Sequence, residues 1–129
     1  MQTILNVNDL SVNFDTSQGL IKAVDNISFS IEKGECLGIA GESGSGKTQT
    51  FFSITGILSD NGNATGIADF NDVDLLKLTE KELSKIRGKK IGFIFQDPMT
   101  SLTPHMNIGN QLIEVSMIHK KNTKNDALK

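Results

Sequence analysis

The chain has 129 residues, of which 22% are charged and 37% hydrophobic, and its formal net charge is −2. This length suits one domain with a hydrophobic core, and the composition is that of an ordinary globular protein with no electrostatic case for binding nucleic acid. The single cysteine, Cys36, excludes an internal disulfide and fits a reducing compartment, and no apolar stretch approaches the roughly 18 residues needed to span a bilayer.

The N-terminal third of the chain has the pattern of β-sheet. Apolar and polar residues alternate at 10–14 and again at 27–31, and a cluster of turn-forming residues separates the two runs at 15–19. Residues 36–40 form a short apolar run of the kind found in buried parallel strands, so the Cys36 thiol is predicted to be buried.

The middle of the chain alternates between loop, strand and helix signals. Residues 59–66 are polar and contain glycine, which predicts a loop, and 67–70 is predicted to be a short strand. Thr79 and Glu82 have the spacing of a capping box, which predicts a short helix ending at Ile86.

The C-terminal third begins with a second apolar run at 91–95, which we interpret as another buried strand. Pro98 and Pro104 bracket an irregular loop. A helix is predicted after it, because apolar residues recur at helical spacing at Ile108, Leu112, Val115 and Ile118. Residues 123–126 resemble another helix start, close to the last residue of the sequence.

The most specific pattern is at 41–48, where the sequence matches G-x-x-x-x-G-K-[ST] at every fixed position. It lies between the predicted strand at 36–40 and a predicted helix at 48–58, which is the order that a phosphate-binding loop requires. Glycines let backbone N–H groups approach phosphate oxygens, and the helix N-terminus adds partial positive charge. The sequence therefore predicts a site for a nucleoside triphosphate.

Each residue of this pattern has a predicted role. The amides from Ser43 to Thr48 surround the phosphates, Lys47 reaches the β- and γ-phosphate oxygens, and the Thr48 hydroxyl ligates Mg²⁺. The predicted nucleotide-binding residues of this segment are Gly41, Ser43, Gly44, Ser45, Gly46, Lys47, Thr48 and Gln49.

Phosphoryl transfer also needs a residue at the end of a strand to complete the Mg²⁺ site. The candidates are Gln96 and Asp97, directly after the apolar run at 91–95. Either Asp97 is the metal aspartate of a small complete fold, or Gln96 reaches Mg²⁺ and water through its amide oxygen and the metal aspartate lies beyond residue 129. The pattern alone leaves both open.

The residues from Gly41 to Thr50, with Phe93-Ile-Phe-Gln-Asp-Pro-Met-Thr-Ser-Leu-Thr-Pro104 downstream, resemble the nucleotide-binding subunits of ATP-binding-cassette (ABC) importers, most closely the oligopeptide-permease type. The resemblance runs from about Leu5 to the C-terminus. It implies an incomplete α/β P-loop NTPase core with an N-terminal antiparallel β-subdomain, over about 1–97, and a glutamine loop with the start of a helical subdomain, over about 96–129.

The resemblance also assigns roles to single residues. It favours Gln96 as the glutamine that touches Mg²⁺ and water, which makes Asp97 a structural loop residue. It implies that Phe14 stacks on adenine, although a phenylalanine in an alternating strand is by itself more often a core residue. It makes the segment after Pro98 a contact surface for a membrane subunit.

The same resemblance implies the function and its partners. We expect ATP and Mg²⁺ as cofactors and an ATP-binding subunit that couples ATP binding and hydrolysis to the import of oligopeptides or dipeptides. Its expected partners are a second ABC ATPase, identical or different, two membrane-spanning permease subunits and, indirectly, an extracytoplasmic solute-binding protein. The expected location is cytoplasmic, on the inner face of the plasma membrane.

The chain departs from the family pattern in one respect. The 129 residues contain no Leu-Ser-Gly-Gly signature, no strand ending in Asp-Glu and no switch histidine. We therefore expect the N-terminal part of such a subunit, which binds nucleotide but lacks residues for hydrolysis. The alternatives are a non-catalytic fragment or gene remnant, and a small self-contained kinase or GTPase that uses Asp97.

Overall fold

The computed structural model describes residues 2–97, 102–120 and 123–127. The chain divides into two compact units, residues 1–83 and residues 84–129. Among the described residues, no helix is both long and apolar enough to cross a membrane.

The first unit is built on an antiparallel three-stranded sheet. Its strands are β1 (Thr3–Thr16), β2 (Gly19–Glu32) and β3 (Gly62–Phe70), in the order β2-β1-β3. The two predicted strands are confirmed and are longer than the alternating pattern indicated. The turn between them is shorter than predicted. It consists of the two residues 17 and 18, because Thr16 already pairs with Gly19.

The predicted loop at 59–66 is wrong over its second half, because β3 begins at Gly62. Residues 63–65, two of which are polar, pair with the free edge of β1, for example Asn63 with Asn13 and Thr65 with Ser11. The sequence pattern carries no sign of this pairing, since the ladder uses backbone groups and is indifferent to polar side chains.

The core of the first unit lies against β1. Val7, Leu10 and Val12 of this strand are completely buried. Helix α1 (Lys47–Thr55), a 3₁₀ turn (Leu75–Lys77) and the start of helix α2 (Glu80–Ile86) supply further buried residues, namely Ile54, Leu75 and Leu83. Burying a side chain of this size stabilises the fold by about 1.5–3 kcal/mol.

Helix boundaries follow local capping signals. Helix α1 ends earlier than predicted, because Gly56 takes a left-handed conformation with φ 67° and its N–H donates to the carbonyls of Phe52 and Ser53. The capping box before α2 is confirmed, since a Glu82 carboxylate oxygen accepts from the Thr79 N–H at 2.9 Å and from its hydroxyl at 2.7 Å.

Two predicted buried strands are wrong. Neither 36–40 nor 91–95 forms a strand, and the pairing is limited to one isolated bridge between Ile91 and Arg87. Cys36 is exposed, contrary to the prediction of a buried thiol, and Ile94 is 97% exposed. A parallel strand is buried only when neighbouring strands and covering helices enclose it, and the described residues supply no such neighbours for these runs.

The second unit contains the end of α2 and two further helices, α3 (Ile108–Lys120) and α4 (Lys124–Ala127). The predicted helix after Pro104 is confirmed, whereas Pro98 lies outside the described residues. Ile113 of α3 is buried. The apolar residues that predicted this helix, Ile108, Leu112, Val115 and Ile118, are instead more than half exposed. The predicted helix start at 123–126 is also confirmed, with the Asp126 N–H donating to the Thr123 hydroxyl.

The 3₁₀ turn is held by the carboxylate of Asp74, whose Oδ1 accepts from the N–H groups of Ala68 and Leu76 at 3.2 Å and whose Oδ2 forms an ion pair with the Lys77 ammonium at 2.9 Å. Burial alone would raise the pKa of this carboxyl, but the bond from Lys77, the two backbone N–H groups and the Lys77 charge outweigh it and lower the pKa. The ionised form is therefore the one that the fold stabilises.

We predict that Asp74→Ala lowers the free energy of unfolding at pH 7 by about 1–3 kcal/mol, because two partly buried N–H groups lose their acceptor. Since the folded pKa is depressed, the ionic part of this stabilisation is present above the unfolded pKa of about 3.9 and is lost as pH falls through the folded value. Urea unfolding at pH 7 and pH 3 measures both effects. The exposed Asp60→Ala is the control, and equal losses in the two variants would contradict the prediction.

Candidate functional site

The loop between residue 41 and helix α1 takes its shape from glycines in left-handed conformations. Gly44 and Gly46 have φ of 80° and 88°. At Gly46 a side chain is excluded by lack of space as well as by the left-handed conformation, because a Cβ atom there would lie 2.3 Å from the carbonyl oxygen of Ala23. At Gly41 it would lie 2.6 Å from the Ser45 hydroxyl oxygen. Gly44 therefore needs glycine for conformation and Gly46 for both conformation and space, whereas a side chain at Gly41 would require the Ser45 hydroxyl to move.

The N-terminus of helix α1 is open to an anion. Gly46 is its N-cap residue, no side chain caps it, and no acidic residue lies in its first turn. The first helical bond joins the Thr50 N–H to the Gly46 carbonyl at 2.9 Å. The amides just after Gly46 therefore have no intrahelical acceptor, and the partial positive charge of the helix is not neutralised locally. Such an end favours phosphate or another anion.

The Lys47 ammonium lies over the loop and joins its two sides. It donates to the carbonyls of Gly41 at 2.7 Å and Glu42 at 2.6 Å, and to the Ser45 hydroxyl at 3.1 Å. Within the described ranges no carboxylate forms an ion pair with Lys47. Its positive charge is thus shared with neutral dipoles only and remains available to a bound anion.

The remaining residues of the predicted loop lie around this arrangement. Ser43 and Gly44 are exposed at the loop tip, Thr48 is exposed in the first helical turn, and Gln49 is half-buried after it. A threonine hydroxyl beside an open helix N-terminus is a donor type that suits Mg²⁺ when phosphate oxygens supply other ligands. The predicted residues of 41–49 thus form the loop and the first turn of α1, and all of them are exposed or half-buried.

Phe14 lies on the sheet face that adjoins the loop. It is half-buried and alternates with Val12, so the two side chains share a face of β1. Val12 pairs with Val24, and a methyl carbon of Val24 would lie 3.2 Å from a Cβ at Gly46. One edge of the Phe14 ring packs on Gly62, where a Cβ would lie 2.8 Å from a ring carbon.

A backbone group that the sequence analysis missed also lies at the loop. The carbonyl of Ala23 on β2 packs against Gly46, as described above. The sequence does contain a sign that this strand is irregular. Ile21, Val24 and Ile27 are spaced three residues apart, whereas apolar residues on one face of a regular strand are two residues apart. This spacing indicates an irregular ladder but not which residue is extra.

Gln96 and Asp97 belong to the second unit and are both exposed. They follow the rings of Phe93 and Phe95, whose centroids are 4.8 Å apart. The predicted contact of Gln96 with Mg²⁺ stays a prediction, and so does the structural role of Asp97.

Comparison with known proteins gives a consistent result. The family model described as "ABC transporter" matches residues 24–129. The chain is 52% identical over 124 residues to an oligopeptide transport ATP-binding protein of Escherichia coli, with 96% of the chain and 37% of that protein covered. It is 47% identical over 130 residues to a dipeptide transport ATP-binding protein of Lactococcus lactis, with 99% and 37% covered. The chain thus spans less than two-fifths of these relatives.

A solved structure extends the comparison to the fold. The ATP-binding cassette MJ0796, in a dimeric post-hydrolysis state bound to ADP and Pi, superposes with a TM-score of 0.79 at 25% identity. The match covers 96% of the chain and 54% of the cassette. The described architecture is therefore that of part of an ABC ATPase.

Proposed function

Because the chain belongs to the ABC transporter family, we propose that it binds ATP with Mg²⁺ at residues 41–49 and is the ATP-binding subunit of an importer of oligopeptides or dipeptides. The observation that carries the proposal is the Lys47 ammonium lying over a glycine loop beside the uncapped start of α1. The substrate class is supported by the names of the similar proteins, which are oligopeptide and dipeptide transport ATP-binding proteins.

The triphosphate is proposed to bind through backbone groups and one cation. The amides of residues 43–48 donate to phosphate oxygens, and Lys47 exchanges part of its bonding to the Gly41 and Glu42 carbonyls for oxygens of the β- and γ-phosphates. The Thr48 hydroxyl and the Gln96 amide oxygen are the proposed protein ligands of Mg²⁺. When bound, this ion neutralises charge on the phosphates.

Phe14 is proposed to stack on the adenine ring. Its place on the loop-side face of the sheet and its partial exposure support this role. Gly62 fixes one edge of the aromatic ring, and the exposed Ile21 pairs with Phe14 on the other side. We propose that the contact with Gly62 restricts the ring before a base arrives, which lowers the entropic cost of stacking.

The proposed partners are a second ABC ATPase subunit and two membrane-spanning subunits, with an extracytoplasmic solute-binding protein acting indirectly. The dimeric form of the MJ0796 cassette supports the first of these. Exposed apolar residues along α3, such as Leu112 at 71% exposure, support a protein contact near the segment after Pro98. The proposed location is the cytoplasmic face of the plasma membrane.

The 129-residue chain is further proposed to bind ATP without turning it over. The 129 residues contain neither a signature sequence nor an apolar run ending in Asp-Glu. Binding and positioning of the phosphates by the loop do not by themselves stabilise the charge that develops during phosphoryl transfer.

We predict that Lys47→Ala weakens ATP binding about 10- to 100-fold, because charge-assisted bonds to phosphate contribute about 1.5–3 kcal/mol. Isothermal titration calorimetry with ATP and Mg²⁺ measures the affinity. Lys33→Ala, which removes an exposed lysine from the same unit, is the control and should bind as the wild type does. Equal affinity of the two variants would refute the proposed site.

We predict that Gly62→Ala weakens ATP binding about two- to tenfold by displacing the Phe14 ring, while the affinity for inorganic tripolyphosphate, which has no base, stays unchanged. Gly38→Ala is the matched control, since a Cβ there meets nothing within 4 Å. If Gly62→Ala lowered the affinities for ATP and tripolyphosphate equally, the result would argue against stacking of adenine on Phe14.

We predict that ATP turnover by the 129-residue chain equals that of its Lys47→Ala variant. Release of inorganic phosphate from ATP and Mg²⁺, measured at protein concentrations above the dissociation constant, checks this. Turnover by the wild type clearly above the variant would show that the chain hydrolyses ATP and would overturn this part of the proposal.

A further inference from the structure

Strand β2 contains one residue more than its partner strand beside the phosphate-binding loop. Val24 pairs with Val12 and Lys22 pairs with Asn13, so Ala23 has no partner on β1. One extra residue on one strand of an antiparallel pair is a β-bulge, which redirects the backbone and is frequent beside functional sites. We refer to this feature as the Ala23 bulge.

The Ala23 bulge packs directly on the last glycine of the loop. A Cβ at Gly46 would lie 2.3 Å from the Ala23 carbonyl oxygen and 3.4 Å from the carbonyl carbon. Gly44 has nearly the same φ, but a Cβ there would meet nothing within 4 Å. The contact is therefore specific to Gly46 and is not a general consequence of the loop conformation.

Gly46 connects the loop to the helix in two ways. It is the N-cap residue of α1, and its carbonyl accepts from both the amide and the hydroxyl of Thr50, at 2.9 Å and 3.0 Å. A group that fixes Gly46 therefore fixes the direction of the first helical amides. Those amides are the ones that the proposed function assigns to phosphate.

We propose that the Ala23 bulge is a positioning element that sets the phosphate affinity of the loop by holding Gly46 and the start of α1. The inference rests on the proposed function, because it concerns the same ATP site. The group that acts is the backbone of Ala23, which is placed by the extra residue in β2, and its methyl side chain is not required.

Deletion of Ala23 tests the inference. The deletion makes the ladder regular from Val12 to Thr16, with Val12 opposite Val24 and Asn13 opposite Lys22 as before. The pairing of Phe14 with Ile21 is preserved, and the separate register shift between Leu10 and Val12 is left unchanged. We expect the affinities for both ATP and tripolyphosphate to fall about tenfold or more, because phosphate bonds are misaligned. Ala23→Ser keeps the bulge and should bind both ligands as the wild type does.

The possible results are distinguishable. If the wild type binds neither ligand, the proposed function fails. If the wild type binds but the deletion variant binds tripolyphosphate equally well, the bulge does not position the loop and the inference is wrong. Circular dichroism and the unfolding midpoint show whether the deletion variant is folded.

A second pair of variants decides the matter if the deletion variant does not fold. Gly44→Ala and Gly46→Ala introduce the same side chain at nearly equal φ, but only Gly46→Ala collides with Ala23. We expect Gly46→Ala to lose about tenfold more affinity for tripolyphosphate than Gly44→Ala. Equal losses would overturn the inference.

Discussion

Strand β1 is the element on which the first unit depends, because it forms backbone ladders along both edges and three of its apolar side chains, those of Val7, Leu10 and Val12, are completely buried. One edge pairs with β2, whose bulge lies against Gly46, and the other pairs with β3, whose Gly62 supports the Phe14 ring. The groups proposed to hold the base and the phosphates are thus both positioned by elements that pair with β1. Positioning the two groups before the nucleotide arrives reduces the entropy lost on binding.

The net charge of the first unit is unfavourable for binding a triphosphate, so attraction must come from groups within the proposed site. Residues 1–83 contain twelve Asp and Glu but only five Lys and Arg, so their net charge is negative, whereas residues 84–129 contain three acidic and eight basic residues. A triphosphate approaching the first unit meets a repulsive average field, which salt screens beyond about 8–10 Å. In the proposed site, the groups that attract phosphate within hydrogen-bonding distance are the Lys47 ammonium and the uncapped amides of α1. The affinity should therefore depend on loop geometry more than on net charge.

Features coded by neighbouring residues could be predicted from the sequence, and features that depend on distant partners could not. The loop at 41–48, the capping box at Thr79 and helix α3 follow from local spacing, and the structure has them. The strands predicted at 36–40 and 91–95 are absent, because an apolar run forms a strand only where a neighbour supplies hydrogen bonds. Strand β3 shows the opposite case, in which a segment without an apolar pattern forms a strand. Its Asn63 and Thr65 pair with β1 because β1 offers a free edge. The contacts of Gln96 with a nucleotide remain a prediction for the same reason.

The missing strand at 36–40 gives Lys47 a second role. The helix side of the loop is fixed by Gly46, α1 and the Ala23 carbonyl, but the residues that enter the loop have no ladder to hold them. Within the described residues, the bonds that tie Gly41 and Glu42 to the rest of the loop come from the Lys47 ammonium and the Ser45 amide. A phosphate that binds Lys47 must replace these bonds. The free energy of phosphate binding is therefore the difference between the bonds gained with phosphate and the bonds lost within the loop. Anything that holds 36–40 in place independently, such as a neighbouring strand, would free Lys47 for phosphate and raise the affinity.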